Sequence, residues 1–440
     1  MEYFLAILML CVCSYTVIRM FKERNVLWLM IGIIGVFSIG YYVLPVFFKK
    51  YSHLGFVDSN DLVSVLFMSF LFFIFIILGV EYADRRFKKK HIHGPYLNNL
   101  DRIFVKNYKV LFFIGLGIWL LYYFTNDLTS YSAEDFEAFF HERSKFAGLL
   151  ASLSNISLAV MAVSTAISLK GKKKLRYLFI ILYLVTILLL LVTGQRLAVI
   201  TPLFMLVAAF LIYVGFNISI RIIGIGIIMV FFISPVMVFF REFQGETGKV
   251  KALEAAKDYE SGGMESGLIS IMNRADLLYV MTELKKQYDK DYYEFDHLQY
   301  LSSVFFAYVP KVVYADKPYP LSDNGQMNRE ISVEAWQLMI GYSTGSLSAF
   351  GAISAYREGG WIWVMINGFL TGMMFVGIYC FLAKGGHIGK LLFVSIFVTL
   401  CVRNVPPSFF YVIVFLVPVV YYLIVFYVLN GMMSKKNQCI

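Results

Sequence analysis

Charge is what this sequence has least of: only 15% of its 440 residues are Asp, Glu, Lys or Arg, while 59% are hydrophobic and the mean hydropathy is +0.70. A soluble globular domain carries about a quarter charged residues, so that class is excluded. Cysteine is scarce as well. Cys11, Cys13, Cys380 and Cys401 lie in apolar runs and Cys439 in the terminal tail, leaving no disulfide framework and no metal-ligand spacing. The chain also lacks a phosphate-binding glycine loop, a zinc-metalloprotease helix motif and a Gly-x-Ser-x-Gly nucleophile turn. Its basic clusters, Arg85 to Lys90 and Lys170 to Arg176, sit beside apolar runs without a folded reader domain, which excludes nucleic acid as a partner. Their role is to set topology.

What is present is the pattern of an all-α polytopic membrane protein. Apolar runs long enough to cross a hydrocarbon core of about 30 Å occupy residues 3 to 18, 26 to 47, 62 to 80, 110 to 124, 149 to 169, 177 to 193, 197 to 215, 222 to 240, 361 to 383, 391 to 402 and 408 to 429, eleven in all. The first is expected to remain as a helix rather than act as a cleaved signal, since Met1-Glu2-Tyr3 supplies no basic leading region. Three regions follow: helices one to eight in 1 to 240, a large polar segment in 241 to 360, and helices nine to eleven with a tail in 361 to 440.

The connections alternate in charge. Those at 19 to 25, 81 to 109, 170 to 176, 216 to 221, 384 to 390 and 430 to 440 hold 21 basic and four acidic residues, and the alternate set holds 18 basic and 24 acidic. The basic set faces the cytoplasm by the positive-inside rule, so the N-terminus is outside and the C-terminus inside. On this parse no Asp, Glu, Lys or Arg falls within a span, which argues against an ion-coupled transporter.

The segment 241 to 360 has 12 basic against 17 acidic residues in a chain of net charge +10. It reads as a folded, mainly helical outward loop: Leu277, Val280, Met281, Leu284 and Tyr288 recur at the spacing of an amphipathic helix, with Arg274 on the same face. An arginine on an apolar stripe either snorkels to water or meets an anion. Arg196, in the short turn Thr193-Gly194-Gln195-Arg196, has the same two readings, and Arg241 and Arg403 are similarly placed at outward helix ends. Asp289-Lys290-Asp291 reads as a solvated turn, Asp58 and Asp61 as helix-start caps and interface charges, and His297 as a surface or structural histidine that could also carry a proton. Tyr308 and the other loop aromatics read mainly as head-group anchors.

Taken together, the eleven-span layout, the large outward loop before the last three spans and the Thr193-Gly194-Gln195-Arg196 turn resemble the Wzy-type oligosaccharide repeat-unit polymerases of bacteria. Val309-Pro310-Lys311 with Asp316-Lys317-Pro318, and Thr344-Gly345-Ser346 through Tyr356 to Gly359-Gly360, are similar to shorter segments of that family. Gly359-Gly360 stands where many members have Phe-Gly, and Glu358 has no assigned counterpart. The resemblance implies a GT-C type glycosyltransferase acting on undecaprenyl-pyrophosphate-linked oligosaccharide at the outer face of the bacterial inner membrane. It also implies membrane lipids as surroundings, and a chain-length regulator and a flippase as partners. No metal or other cofactor is expected. Arg196, Arg241 and Arg274, then Arg329 and Arg403, would bind the pyrophosphate, with His297 or Asp276 as general base. An O-antigen ligase shares the layout and is the nearest alternative. A lipid-linked oligosaccharide flippase is disfavoured by the long loop and the charge-free spans.

Reporter fusions test the orientation. Fusions after Lys90 and Lys174 are expected to report cytoplasm and one near Asp289 the outside; a cytoplasmic signal at Asp289 would overturn the parse.

Overall fold

The structure is a computed structural model, and it describes residues 1–49, 53–90, 97–125, 145–171, 174–191, 196–216, 277–290, 295, 308–309, 351–403 and 406–438. Every regular element among the described residues is helical: α1 (Glu2–Glu23), α2 (Val26–Ser38), α3 (Ser59–Lys90), α4 (Asn98–Thr125), α5 (Lys145–Lys170), α6 (Arg176–Leu191), α7 (Arg196–Tyr213), α8 (Leu277–Asp289), α9 (Gly351–Ile378), α10 (His387–Val398) and α11 (Phe409–Gln438). π-helical turns extend α2, α9 and α10 over Ile39–Val43, Tyr379–Ala383 and Thr399–Arg403.

Seven of the described helical stretches are long and apolar enough to cross a membrane: Glu2–Glu23, Val26–Phe47, Ser59–Phe87, Asn98–Thr125, Leu153–Lys170, Gly351–Ala383 and Phe409–Met433. Three shorter apolar helices, Arg176–Leu190, Val199–Tyr213 and His387–Cys401, fall on other expected spans, and the expected span 222 to 240 lies outside the described residues. Ile18, Leu78, Phe124, Ile181, Leu188, Ile362 and Tyr427 expose large apolar surfaces. Such faces are costly in water and favourable against lipid. The chain is a helical membrane protein.

It divides into two compact units. The first comprises Met1–Ile92, Leu268–Ile378 and Thr399–Val420. Here α1 buries Ala6, Met9, Cys13, Thr16 and Met20, one stripe at three- and four-residue spacing, against α2. The turn between them places Arg24 in the left-handed region at φ 51°, and Asn25 then caps α2 by accepting the Trp28 N–H at 2.9 Å. The most extensive helix contact of this unit joins α3 to α9. It depends on missing side chains: a Cβ at Gly372 would lie 2.1 Å from the Ile76 carbonyl oxygen, one at Gly79 2.1 Å from the Phe369 carbonyl, and one at Gly368 2.6 Å from the Phe72 carbonyl. Gly368 and Gly372 form a Gly-x-x-x-Gly pair, the spacing that lets membrane helices approach closely.

In the second unit (His93–Gly267, Tyr379–Val398 and Tyr421–Ile440), α4 packs along α5, α5 against α7, and α10 against α7 and α5. Phe112 and Phe179 stack with ring centroids 4.1 Å apart. Helix starts are capped from other helices. Asn430 accepts the Asn99 N–H at 3.2 Å, and Asp101 accepts the Ile388 N–H at 2.8 Å.

Polar contacts at helix ends follow the alternation of connections. In the first unit Arg19 pairs with Glu81 at 2.7 Å and Lys49 with Glu2 at 3.2 Å, while Asp61 meets Lys286 at 3.3 Å. Each joins residues assigned to one charge set; in the second unit Tyr213, near the end of α7, meets His387 at 3.0 Å. Helix α9 is two helical segments joined at a kink: Gly359 and Gly360 leave helical geometry, the segment after the break starts at Trp361, where the expected span begins, and Arg357 and Glu358, 5% and 2% exposed, lie buried in the segment before it.

Substitutions at two glycines separate packing from propensity. Alanine is favoured over glycine within a helix by roughly 0.5 to 1 kcal/mol, whereas overfilling a tight contact costs about 1 to 3 kcal/mol. Gly372→Ala is therefore expected to lower the unfolding temperature in detergent, and Gly377→Ala, which meets nothing within 4 Å, to leave it unchanged or raise it.

Candidate functional site

In the first unit, α8 carries the polar groups that the fold places most deliberately. Its apolar stripe is buried as the spacing predicts: Val280, Met281, Leu284 and Tyr288, joined by Leu278, are each 5% exposed or less. The stripe docks α8 on α3 and α9. Lys285 lies seven residues beyond Leu278 and four beyond Met281, so it falls on the buried side and is only 6% exposed.

A buried ammonium needs partners. Lys285 has an ion pair with Asp289 one turn later, and its Nζ lies 5.1 Å from the ring centre of Tyr356 and 5.6 Å from that of Trp361. Tyr356 donates its hydroxyl to Asp289 at 2.7 Å. Asp289 thus accepts from a cation and a phenol while staying exposed at the end of α8, where the sequence reading puts a solvated turn. Its neighbour Lys290 is exposed, while Asp291 lies outside the described residues. Beside this group, Lys286 binds Glu283 at 2.8 Å and Asp61 at 3.3 Å. Burial lowers the pKa of the Lys286 ammonium, but hydrogen bonds and charge from Glu283 and Asp61 outweigh it and leave the value above that of an ordinary lysine. Asp58 accepts the Asn60 N–H at 3.0 Å, so the two acids at the start of α3 act as a cap and an interface charge.

The group is bounded by aromatic rings and by a break in α9. Phe295 stacks on Tyr288 at 5.8 Å and meets Tyr356 edge-on at 5.7 Å. Gly360 adopts φ 74°, ψ −154°, a conformation open only to glycine without strain. Gly359 and Gly360 thus break α9 with a kink. Arg357 and Glu358 lie buried just before it. Tyr308 donates its hydroxyl to the Ile413 carbonyl at 2.7 Å, tying a loop aromatic to the start of α11.

Most of the sequence-derived candidates are not reached. Arg241, Arg274, Arg329, Asp276 and His297 lie outside the described residues. Arg196 is placed as the first residue of α7 and Arg403 as the last of the turn Thr399–Arg403, with only their backbone positions described. Lys285, Arg357 and Glu358 are the charged groups that sequence reasoning missed. Periodicity could have found Lys285, since the argument applied to Arg274 holds for any charge on that stripe.

Comparison of the chain with models of known protein families, with curated proteins and with solved structures finds no match.

Removing one partner of the Lys285 pair tests how it is held. Asp289→Ala leaves a buried ammonium; discounted for a carboxylate 42% exposed, the loss is about 1 to 3 kcal/mol. Lys285→Met keeps the aliphatic volume between the rings and is expected to be nearly neutral, and the double variant Lys285→Met/Asp289→Ala to regain most of the loss. Thermal unfolding of all three in one detergent measures this, and a double variant no better than Asp289→Ala would show that the pair is not coupled.

Proposed function

We propose that this chain is a membrane glycosyltransferase of the GT-C type that polymerises undecaprenyl-pyrophosphate-linked oligosaccharide repeats into a surface polysaccharide at the outer face of the bacterial inner membrane. The resemblance carried by the Thr193-Gly194-Gln195-Arg196 turn and the loop motifs supports this reading. The structural observation in its favour is the docking of α8, a helix of the polar loop, onto the apolar helices α3 and α9, with buried Lys285 held at the contact. A loop seated on membrane helices is what an enzyme needs to meet a substrate whose lipid stays in the bilayer while its sugars stand in water.

The chemistry follows from the leaving group. A sugar hydroxyl of the incoming repeat attacks the anomeric carbon of the growing chain, a new glycosidic C–O bond forms, and the bond from that carbon to the pyrophosphate breaks. The hydroxyl proton passes to a general base, for which His297 and Asp276 are the proposed groups. Negative charge develops on the lipid pyrophosphate, and fixed guanidinium groups stabilise it, each holding two oxygens at once. Arg196, Arg241 and Arg274 are proposed for that role, with Arg329 and Arg403 next.

Losing one such donor typically costs on the order of a hundredfold in rate. Arg196→Ala and Arg274→Ala are therefore expected to abolish polymer at normal membrane abundance, and the Lys variants, which keep charge but lose the planar fork, to retain part of it. Glycan length and protein abundance are measured together in a deletion strain carrying each variant. A surface glycan of single repeats in the deletion strain is the expected phenotype. Unattached long polymer on lipid would instead mark a ligase, and full-length polymer from both Ala variants would reject the arginine site.

A further inference from the structure

The second unit contains a cavity of about 690 Å³ at the helix ends that carry the basic connections. Lys106 and Lys109 reach it from α4, Lys170 from the end of α5, Tyr213 from the end of α7 and His387 from the start of α10. None of the described residues that line it is acidic. Asp101, whose charge acts on His387, is buried and accepts the Ile388 N–H at 2.8 Å. Lys390, one turn into α10, adds a further cation, its Nζ 5.6 Å from the Tyr213 ring centre. Tyr213 engages Nδ1 of His387 at 3.0 Å, so Nε2 is the nitrogen that can turn to a ligand.

Like charges gathered around a hollow repel one another unless an anion joins them. His387, in the connection ahead of the span, is held below the ordinary histidine value by burial, then by Lys390 and Lys170, with Asp101 opposing. The volume suits a ligand larger than a single ion, since binding sites for small molecules run to about 300 to 1,000 Å³.

We propose that this cavity binds a phosphate group, presented by an anionic lipid of the facing leaflet, with Lys106, Lys109 and Lys170 as its cationic grip and Tyr213 and His387 as hydrogen-bonding partners. A basic pocket between membrane helices on the cytoplasmic side is the usual setting for such a head group. Free phosphate in solution would meet the same donors. The site is separate from the outward chemistry proposed above and does not depend on it.

The test uses the full chain in phosphatidylcholine nanodiscs, plain or doped with phosphatidylglycerol. A lysine-reactive acylating reagent reads each side chain: phosphatidylglycerol is expected to protect Lys109 and Lys170 of the unmodified protein and to leave Lys174, an exposed lysine outside the cavity, fully reactive. Native mass spectrometry then counts retained lipid. Lys109→Gln and Lys170→Gln are each expected to lower retained phosphatidylglycerol about fivefold, the worth of one lysine near an anionic surface, and Lys174→Gln to leave it unchanged. Protection by inorganic phosphate in detergent, without protection by the lipid, would keep the phosphate site and assign it to a soluble ligand. Equal labelling in plain nanodiscs, doped nanodiscs and phosphate would overturn the proposal, and because that measurement is made on the unsubstituted protein, a misfolded variant cannot obscure it.

Discussion

A polar group carried out of water must bring its partner with it, and in this chain that constraint decides where helices begin and what they touch. The first N–H groups of a helix have no partner within it. Asn25 serves α2 from its own turn, but Asn430 of α11 serves α4, Asp101 of α4 serves α10, and Asn367 of α9 accepts the Phe409 N–H of α11 at 2.8 Å. Capping from a distant helix makes the cap and the tertiary packing one event: a helix start is satisfied only where the helix that caps it is already in place. The same constraint governs charge. Arg19 bridges Glu23 at 3.0 Å and Glu81 at 2.7 Å with its guanidinium 4.6 Å above Trp28, so the ends of α1 and α3 meet through one side chain.

Between the helix ends, apolar residues cannot supply specificity, because lipid tails are as apolar as leucine. Shape does so instead. The contact of α3 with α9 places backbone against backbone at Gly79, Gly368 and Gly372, where van der Waals contact is densest and a methyl group has no room. Toward the polar side the same helix α9 breaks at Gly359-Gly360 and presents Tyr356 and Trp361 to Lys285. Helix packing thus sets the geometry of the polar group above it. An aromatic pair around an ammonium holds the charge without neutralising it.

The functional reading rests on this division of labour. On the proposed reading, a lipid-linked pyrophosphate would present charge at the head-group level and sugars beyond it, which calls for cations at helix ends and a folded loop over them. Arg196 stands at the start of α7 and Arg403 at the end of the turn Thr399–Arg403, and α8, one helix of the polar segment, docks on α3 and α9.

Composition and periodicity by themselves determined the helical membrane class, the positions of ten of the apolar helices and the buried face of α8, because hydrophobicity at spans and at three- and four-residue spacing is a local property of the chain. Tertiary structure alone decided that Tyr356 would donate to Asp289 and stand with Trp361 beside Lys285, and that Asp101 would cap a helix start 287 residues away. Each of those outcomes sets a polar atom against a partner from another helix. Whether such an atom meets water or a partner depends on which helices pack together, and no window of sequence contains both.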